Sequence, residues 1–224
     1  MSFMFTAFFI GNIASGKSSA TRYLASKGAV RLDLDQMAKE LYVPGSALLG
    51  SLSDEFGADV LDEDGCVRNA VLAERAFVSP ERSARLNALV YPVLLDALKS
   101  SLADLDAASV APRSFVVVED SNAFGFKESL ALADEVVAIF VPIDIRRDRA
   151  LGRGMSPKDF DARVSVQPSD EELCSLADTI IDNSSSVEDL ERCLDTWMLE
   201  RGVGLGSPSA SDGMASTSAG DARV

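Results

Sequence analysis

Hydrophobic residues are concentrated in five short runs that are separated by longer segments of mixed polarity. The first run, Phe3–Ile10, is apolar almost throughout. A continuous apolar run of this length is typical of a strand covered on both faces of a parallel sheet. The predicted strands are Phe3–Ile10, Val30–Asp33, Phe115–Glu119, Val136–Val141 and Thr179–Asp182. Because helical segments separate them, the pattern predicts a three-layer α/β/α fold around a five-stranded parallel sheet.

The segments between the runs carry apolar residues at helical spacing. After the first run, Ala20, Tyr23 and Leu24 share one helix face, and Gly28 marks the end of that helix. The gap between the second and third strands is too long for one crossover, so it predicts a helical insertion over about residues 36–108. Its predicted helices are Asp35–Tyr42, Ala47–Phe56, Asn69–Phe77 and Glu81–Ala107, the last with a kink or break at Pro92.

A glycine-rich loop follows the first strand. GNIASGKS, Gly11–Ser18, fits the phosphate-loop pattern of Gly, four residues, then Gly-Lys-Ser, and it lies between an apolar strand and a helix. In this pattern backbone N–H groups cradle phosphate oxygens, Lys17 reaches the terminal phosphates, and the Ser18 hydroxyl binds Mg²⁺. The predicted nucleotide-binding residues are Gly11, Ala14, Ser15, Gly16, Lys17, Ser18 and Ser19.

Carboxylates follow the second and third strands, at the sheet edge where ligands of parallel sheets bind. We expect Asp33 to accept the proton of an attacking hydroxyl or to orient it beside Mg²⁺. Asp35 has the same possible role or, alternatively, caps the helix that follows. The third strand ends in Glu119 and Asp120, which face opposite ways. We predict that Asp120 is the residue that orients Mg²⁺.

Two further segments follow the fourth strand. Residues 146–167, the lid segment, combine several arginines with a Gly-rich break and a helix start at Ser156-Pro157. They predict a lid that closes over a transferring phosphate, or alternatively a solvated pair of amphipathic helices. The stretch Gly202–Val224 consists mainly of Gly, Ser and Ala and is predicted to be a disordered tail.

Composition narrows the classes of function. The 224-residue chain has 21 Lys and Arg against 35 Asp and Glu, a net charge of −14. This balance argues against general binding to nucleic acid or anionic membranes, because no basic stripe is present. Histidine is absent. Nucleophilic mechanisms that need histidine and His-ligated metals are therefore excluded, which leaves carboxylates as general bases.

Cysteine usage and hydropathy predict the compartment. Cys66, Cys174 and Cys193 are far apart and form no CxxC pair, which indicates reduced thiols and neither a disulfide framework nor a zinc site. The N-terminal apolar run lacks the basic segment of a signal peptide, and no run is long enough to span a bilayer. We expect a soluble, cytoplasmic protein.

Up to about Arg201 the chain resembles the dephospho-CoA kinase family. The resemblance rests on five segments in order: GNIASGKS, LDLDQMAKELYVPGS, FGADVLDEDG, RLNALVYP and ADTIIDNSSSVEDL. It implies a P-loop kinase domain over residues 1–201 that uses ATP and Mg²⁺. The implied reaction transfers the γ-phosphoryl group of ATP to the ribose 3′-hydroxyl of dephospho-CoA, the last step of CoA synthesis. By position, Asp33 matches the family's candidate base, and Arg149 and Arg153 resemble lid arginines that stabilise the moving phosphoryl group.

The departures from the family lie mainly on the acceptor side. Tyr91-Pro92 stands where the family has His-Pro, and Asn122–Phe126 replaces its Pro-Leu-Leu-Phe-Glu loop. Asn69 occupies the position of an expected arginine, and the lid segment is one residue short. These departures leave two alternatives open. One is a P-loop kinase for another small acceptor, such as a nucleoside or nucleotide, and the other is a nucleotide-binding pseudoenzyme.

Overall fold

Five parallel strands form the central sheet, in the spatial order β2-β3-β1-β4-β5. The structure, a computed structural model, describes residues 4–108 and 114–204. The strands are β1 (Phe5–Ile10), β2 (Val30–Asp33), β3 (Phe115–Asp120), β4 (Glu135–Phe140) and β5 (Thr179–Asp182). The predicted α/β/α fold is confirmed, with shifts of one or two residues at some strand ends. Phe3 of the first predicted strand lies outside the described residues.

Helices connect the strands and cover both faces of the sheet. They are α1 (Lys17–Ser26), α2 (Leu34–Glu40), α3 (Ala47–Phe56), α4 (Asn69–Ala76), α5 (Pro80–Ala108), α6 (Lys127–Leu130), α7 (Ile143–Gly152), α8 (Pro157–Val164), α9 (Asp170–Cys174) and α10 (Val187–Arg201). The expected helix start at Ser156-Pro157 is confirmed, since the Ser156 hydroxyl accepts from the Asp159 N–H and Pro157 opens α8.

The sequence predicted a kink or a break at Pro92; helix α5 continues through it for 29 residues, so a break is absent. A proline inside a helix removes one backbone hydrogen bond, which packing must offset. Two different cores supply that packing. Leu86 and Val90 are buried in the core of the insertion, whereas Leu94 and Leu98 are buried beneath the sheet. The helix is therefore held on both sides of the proline.

Alternate residues of each strand face opposite layers. On β3, Phe115 and Val117 pack with α1 and α10, whereas Val116 and Val118 pack with α5. The same alternation directs Glu119 toward α1 and Asp120 toward the α5 layer. It decides which carboxylate meets the glycine-rich loop.

The segment between β2 and β3 has a core of its own. Helices α3, α4 and the first part of α5 bury a cluster that is separate from both sheet layers. Its members are Leu48, Leu49, Leu52, Phe56, Val60, Leu72, Ala76, Leu86 and Val90. Salt bridges at its surface join Glu55 to Arg82 at 3.1 Å and to Arg85 at 2.9 Å. The segment can thus present a preformed surface to the sheet edge.

The C-terminal boundary differs from the prediction. Gly202 ends α10 in the left-handed conformation, and Val203 is buried against the sheet at 3 % exposure. Residues 202–204 therefore belong to the packed structure rather than to the tail. The remainder of the predicted tail, residues 205–224, lies outside the described residues. Within the described ranges, no helix is both long and apolar enough to cross a membrane.

Candidate active site

The loop between β1 and α1 is a tight turn with two residues in the left-handed region. Ala14 has a φ of 61° and Gly16 a φ of 98°. The Ser15 N–H closes the turn on the Asn12 carbonyl at 3.1 Å. Gly16 is the N-cap residue of α1, and no side chain caps this helix end. The first N–H groups of the helix are therefore open to an anionic ligand.

Close contacts explain both glycines of the loop. A Cβ atom on Gly16 would lie 2.3 Å from Nδ2 of Asn183, the amide that donates to the Ser15 carbonyl at 2.7 Å. A Cβ atom on Gly11 would lie 2.8 Å from the carbonyl oxygen of Ile139. The ends of β4 and β5 thus hold the loop backbone so closely that larger residues do not fit.

Lys17 is buried beneath this loop, and its Nζ donates to the Gly11 carbonyl at 2.6 Å. Burial lowers the pKa of its ammonium group, while surrounding negative charge acts in the opposite direction. That charge comes from four carboxylates, which in decreasing order of influence are Glu119, Asp35, Asp120 and Asp33. The two acidic strand ends therefore converge on the lysine of the loop.

A cavity of about 110 Å³ lies over the loop. Its lining residues are Asn12, Ala14, Ser15, Gly16, Lys17, Ser18, Ser19, Arg22 and Arg153. The structure thus brings six predicted nucleotide-binding residues together with one lid arginine, and Gly11 lies directly below them. Among the described residues, Ser15 Oγ is the one buried side-chain polar atom without a hydrogen-bond partner.

Glu119 lies against the start of α1. The Ser18 hydroxyl donates to Oε1 of Glu119, and the Thr21 hydroxyl donates to Oε2 at 2.8 Å. Arg31 donates to the same Oε2 at 2.6 Å. Burial alone would raise the pKa of Glu119, but these hydrogen bonds outweigh it and lower the pKa. The carboxylate beside Ser18 is therefore ionised at neutral pH.

Asp120 lies on the other face of the sheet from Ser18. It accepts hydrogen bonds from the Asn122 N–H at 2.7 Å and from the Ser129 hydroxyl at 3.3 Å. Burial raises its pKa to about 6. The sequence-based expectation gave Asp120 the metal-orienting role, whereas the structure places Glu119 against Ser18. Strand alternation is the reason, since neighbouring residues face opposite layers.

The two aspartates after β2 differ in their surroundings. Asp33 is the N-cap of α2 and accepts from the Gln36 N–H at 3.2 Å, so of the two alternatives for Asp35 the one in which it caps this helix is wrong. The second oxygen of Asp33 accepts from Arg31 at 2.8 Å. Asp35 is exposed in the first turn of α2, and its carboxylate accepts no hydrogen bond from the residues that the structure describes. Its charge nevertheless acts on Lys17 more strongly than that of Asp33.

An aromatic stack joins α5 to the segment after β3. The rings of Tyr91 and Phe126 are stacked, with centroids 4.4 Å apart and planes inclined by 27°. Asn122 Nδ2 donates to the Tyr91 hydroxyl oxygen. Burial raises the pKa of Tyr91 to about 12, with a further contribution from nearby carboxylates that include Asp120 and Asp35. The phenol is protonated at neutral pH and lies beside the acidic strand ends.

A larger cavity of about 500 Å³ adjoins this stack. It is lined by Ala84, Asn87, Ala88, Tyr91, Pro92, Leu95, Gly125, Phe126 and Glu128. Such a volume is within the range of small-molecule sites. Two of the segments that depart from the family pattern, Tyr91-Pro92 and Asn122–Phe126, thus contribute residues to one wall.

The lid segment folds as α7 and α8. Arg153, just after α7, lines the cavity over the loop, whereas Arg149 is half-buried and its Nη2 donates to the Ser185 carbonyl at 3.3 Å. Of the two predicted lid arginines, the structure thus brings one to the glycine-rich loop. In this arrangement the other is attached to the segment after β5.

Buried polar contacts tie the loop to both ends of the lid segment. Arg146, only 3 % exposed, donates to both carboxylate oxygens of Asp170 at 2.9 and 3.0 Å. Asn12 Nδ2 donates to Asp170 at 2.8 Å, and the Ile13 N–H donates to Gln167 at 2.9 Å. Arg146 is therefore a structural anchor rather than an arginine that reaches a phosphate.

Sequence reasoning missed several of these residues. Helical spacing could have indicated Arg22, because it lies four residues after Ser18 on the same helix face. Its Nε donates to the Ser18 carbonyl at 2.7 Å. Arg31 precedes Asp33 by two residues on a strand, so both share one face. Asp170 and Gln167 have no comparable signal, because their partners on the loop are more than 150 residues away.

The matching family model and the similar sequences below are all described as dephospho-CoA kinases. The sequence model of the family CoaE, dephospho-CoA kinase, matches residues 8–189. The chain is 37 % identical to the dephospho-CoA kinase of Corynebacterium diphtheriae over 183 residues, covering 81 % of this chain and 90 % of that protein. It is 33 % identical to the dephospho-CoA kinase of Thermobifida fusca, with 84 % and 92 % covered.

Several solved structures share the fold. TT1252 from Thermus thermophilus superposes with a TM-score of 0.71 at 29 % identity, covering 88 % of this chain and 97 % of the other. Dephospho-CoA kinase from Campylobacter jejuni superposes with a TM-score of 0.65 at 23 % identity, covering 87 % and 96 %. Shikimate kinase from Acinetobacter baumannii shares the fold, with a TM-score of 0.51 at 15 % identity, covering 89 % and 96 %.

Proposed function

The chain belongs to the dephospho-CoA kinase family, and we propose that it transfers the γ-phosphoryl group of ATP to the ribose 3′-hydroxyl of dephospho-CoA. One observation supports this most strongly. The glycine-rich loop with Lys17, the Ser18–Glu119 pair and the exposed Asp35 lie at one edge of the sheet. Phosphoryl transfer depends on positioning and charge stabilisation, and these groups supply both.

The loop would hold the donor. The open N-terminus of α1 offers N–H groups to phosphate oxygens, and Lys17 offers a buried positive charge. Lys17 is bonded to the Gly11 carbonyl in this structure, a contact that a phosphate oxygen would replace. Arg153 and Arg22 line the same cavity and would add charge around the transferring group.

The residues at this edge fit a magnesium ion that enters with the nucleotide. Mg²⁺ prefers oxygen ligands and keeps several waters. The Ser18 hydroxyl and the ionised Glu119 carboxylate are adjacent oxygens of the required kind, so we assign the metal-orienting role to Glu119 rather than Asp120. Among the described residues no group of three or more acidic or Cys side chains could hold a metal alone. Bound Mg²⁺ would neutralise charge on the β- and γ-phosphates.

We assign the acceptor hydroxyl to Asp35 rather than Asp33. A general base needs a free carboxylate oxygen within reach of the proton that it removes. Asp33 already accepts from the Gln36 N–H and from Arg31, whereas Asp35 is exposed and electrostatically close to Lys17. Asp35 would therefore orient the hydroxyl and receive its proton, and Asp33 would hold α2 in place.

The large cavity beside Tyr91 and Phe126 would receive the acceptor. Its volume of about 500 Å³ suits a molecule of the size of a nucleoside with an extended arm. Because the Tyr91–Asn122–Phe126 wall departs from the family pattern, a second candidate is the same chemistry on another small acceptor, such as a nucleoside or nucleotide. We place the reaction in the cytoplasm, consistent with the three free thiols Cys66, Cys174 and Cys193.

Product analysis tests this function. Purified protein is incubated with ATP, Mg²⁺ and dephospho-CoA, and the products are separated and examined by mass spectrometry and ³¹P NMR. We expect equimolar ADP and a product that has gained one phosphoryl group at the 3′ position. ATP binding without turnover of dephospho-CoA, adenosine or AMP would identify a pseudoenzyme and overturn the proposal.

A further inference from the structure

Arg31 connects the two acidic strand ends of the site. Its Nη2 lies 2.8 Å from Oδ2 of Asp33 and 2.6 Å from Oε2 of Glu119, and its Nε donates to the Thr21 hydroxyl at 2.9 Å. One guanidinium group thus contacts two strands and helix α1. Resting on the function proposed above, we infer that Arg31 is a positioning residue that holds Glu119 against Ser18 and so sets the affinity of the site for Mg²⁺.

The sheet register explains why an arginine at this position reaches both carboxylates. Asp33 is paired with Glu119 across β2 and β3, and Arg31 lies two residues earlier on the same face. Two carboxylates directly opposite each other on neighbouring strands repel. The guanidinium between them removes that repulsion, and its side chain is only 26 % exposed.

The hydrogen bonds of Glu119 divide its two oxygens between different tasks. Oε2 accepts from Arg31 and Thr21, which leaves Oε1 directed at the Ser18 hydroxyl. Without Arg31, Oε2 would retain only the Thr21 hydroxyl, and the carboxylate could rotate away from Ser18. Partners that orient a metal-binding group from behind typically change metal affinity by 10- to 100-fold when they are removed.

Arginine is suited to this role in a way that lysine is not. Its planar fork donates from Nε and Nη2 at the same time, so it can bind Thr21 and both carboxylates with one fixed geometry. A lysine at position 31 would supply the charge from a single mobile nitrogen. Charge and geometry can therefore be separated by comparing two substitutions.

The test compares Arg31→Met, Arg31→Lys and the wild type in nucleotide binding by calorimetry. A matched control is Arg192→Met, which removes an exposed arginine paired with Asp189 on α10. The dissociation constant of ATP is measured in EDTA and again with saturating Mg²⁺. In EDTA, we expect the dissociation constant of ATP for Arg31→Met to lie within about twofold of the wild-type value. The increase in ATP affinity on addition of Mg²⁺ should be about tenfold smaller in Arg31→Met than in the wild type.

We expect Arg31→Lys to lie between the wild type and Arg31→Met, and Arg192→Met to match the wild type. If Arg31→Met does not fold, the Arg31→Lys result decides alone. The inference would be overturned if folded Arg31→Met gained as much ATP affinity from Mg²⁺ as the wild type does. If Arg31→Met is unfolded, the same result in Arg31→Lys would overturn it. So would an equal loss of ATP affinity with and without Mg²⁺, which indicates a general structural role. Since no acceptor is present, a wrong acceptor assignment would leave this result unaffected.

Discussion

The donor side and the acceptor side of the site are built in different ways. The donor side, residues 11–18 with helix α1, is one continuous piece of chain whose backbone makes the binding surface. The acceptor side, helices α2–α5 with residues 121–126, depends on side chains from distant segments, as in the stack of Tyr91 on Phe126. A site formed by one continuous stretch of backbone restricts which residues can occupy that stretch. A site formed by side chains from several segments can change those side chains while the fold is kept.

This difference explains where the chain departs from its family. On the donor side, Gly11 and Gly16 admit no Cβ atom, and Asn183 holds the loop from the end of β5. On the acceptor side, α5 is continuous across two cores and is held by buried residues on either side of position 91. Substitutions on the donor side should therefore remove phosphate chemistry, and those on the acceptor side should change affinity for the acceptor.

The largest effect is expected for Lys17→Met. The substitution removes the buried charge of the donor side, and we expect kcat to fall about 10³-fold because transition-state charge loses its stabilisation. Steady-state ADP formation measures the effect. Lys27→Met, which removes an exposed lysine paired with Asp195 at 3.4 Å, is the control and should keep wild-type kcat. A loss of less than tenfold in Lys17→Met would remove this lysine from the chemistry.

Substitutions of the two aspartates after β2 should distinguish the general base from the residue that caps α2. We expect Asp35→Asn to lower kcat about 10²-fold, because the amide cannot accept the hydroxyl proton. Asp33→Asn keeps a side chain that caps helices well, so we expect a smaller loss. Rapid-quench measurement of the phosphoryl-transfer step compares the two. The reverse order of effects would return the role of base to Asp33.

Comparing Gly16→Ala with Gly28→Ala distinguishes the effect of backbone strain from the effect of a close contact with a neighbouring side chain. Both glycines have a positive φ, of 98° and 103°, and each substitution should destabilise the fold by about 1 kcal/mol. Only at Gly16 would the new Cβ meet a neighbour, Nδ2 of Asn183. We expect ATP affinity to fall about tenfold in Gly16→Ala alone, as measured by calorimetry. Equal affinities would show that the Asn183 contact does not shape the loop.

Tyr91→Phe addresses the acceptor side. The substitution keeps the stack on Phe126 and removes only the oxygen that accepts from Asn122. Such a hydrogen bond contributes about 1 kcal/mol, so we expect a rise of about fivefold in the KM for dephospho-CoA. The KM for ATP should stay constant, and a change in that value instead would contradict the division into two sides.

Asp120 lies between the two sides and supplies a pH-dependent prediction. Its pKa is raised from 3.8 to about 6 in the folded state, so below pH 6 the folded protein binds a proton that the unfolded chain releases. Stability contributed by this group is therefore lost as pH rises through 6. As the pH rises from 5 to 7.5 in EDTA, we expect the free energy of unfolding of the wild type to fall by about 1 kcal/mol relative to that of Asp120→Asn. Urea denaturation measures it, and parallel pH profiles would contradict the assignment.

The sequence predicted the fold and the donor side because both have local signals. The apolar runs gave the strands, and one eight-residue pattern located the loop on Gly11–Ser18. The strand phase at Glu119 and Asp120 could not be predicted in the same way. Strand β3 is buried on both faces, so its residues show no alternation of polarity that would reveal which one faces α1.

Contacts between distant segments account for the other differences. Asp33 and Asp35 are two residues apart, and only the actual helix start at Leu34 assigns the cap to Asp33. The proline of α5 suggested a kink or a break, but cores on both sides of Pro92 keep the helix continuous. The anchor of Asn12 on Asp170 joins residues 158 positions apart and has no signature in either segment.

We expect the altered acceptor side still to select dephospho-CoA. The most direct measurement is kcat/KM for dephospho-CoA, AMP and adenosine at saturating ATP and Mg²⁺. We predict a value for dephospho-CoA at least about 100-fold above the other two, because those acceptors leave polar groups of the site unpaired. An equal or higher kcat/KM for AMP or adenosine would contradict this selectivity and assign the kinase to another acceptor.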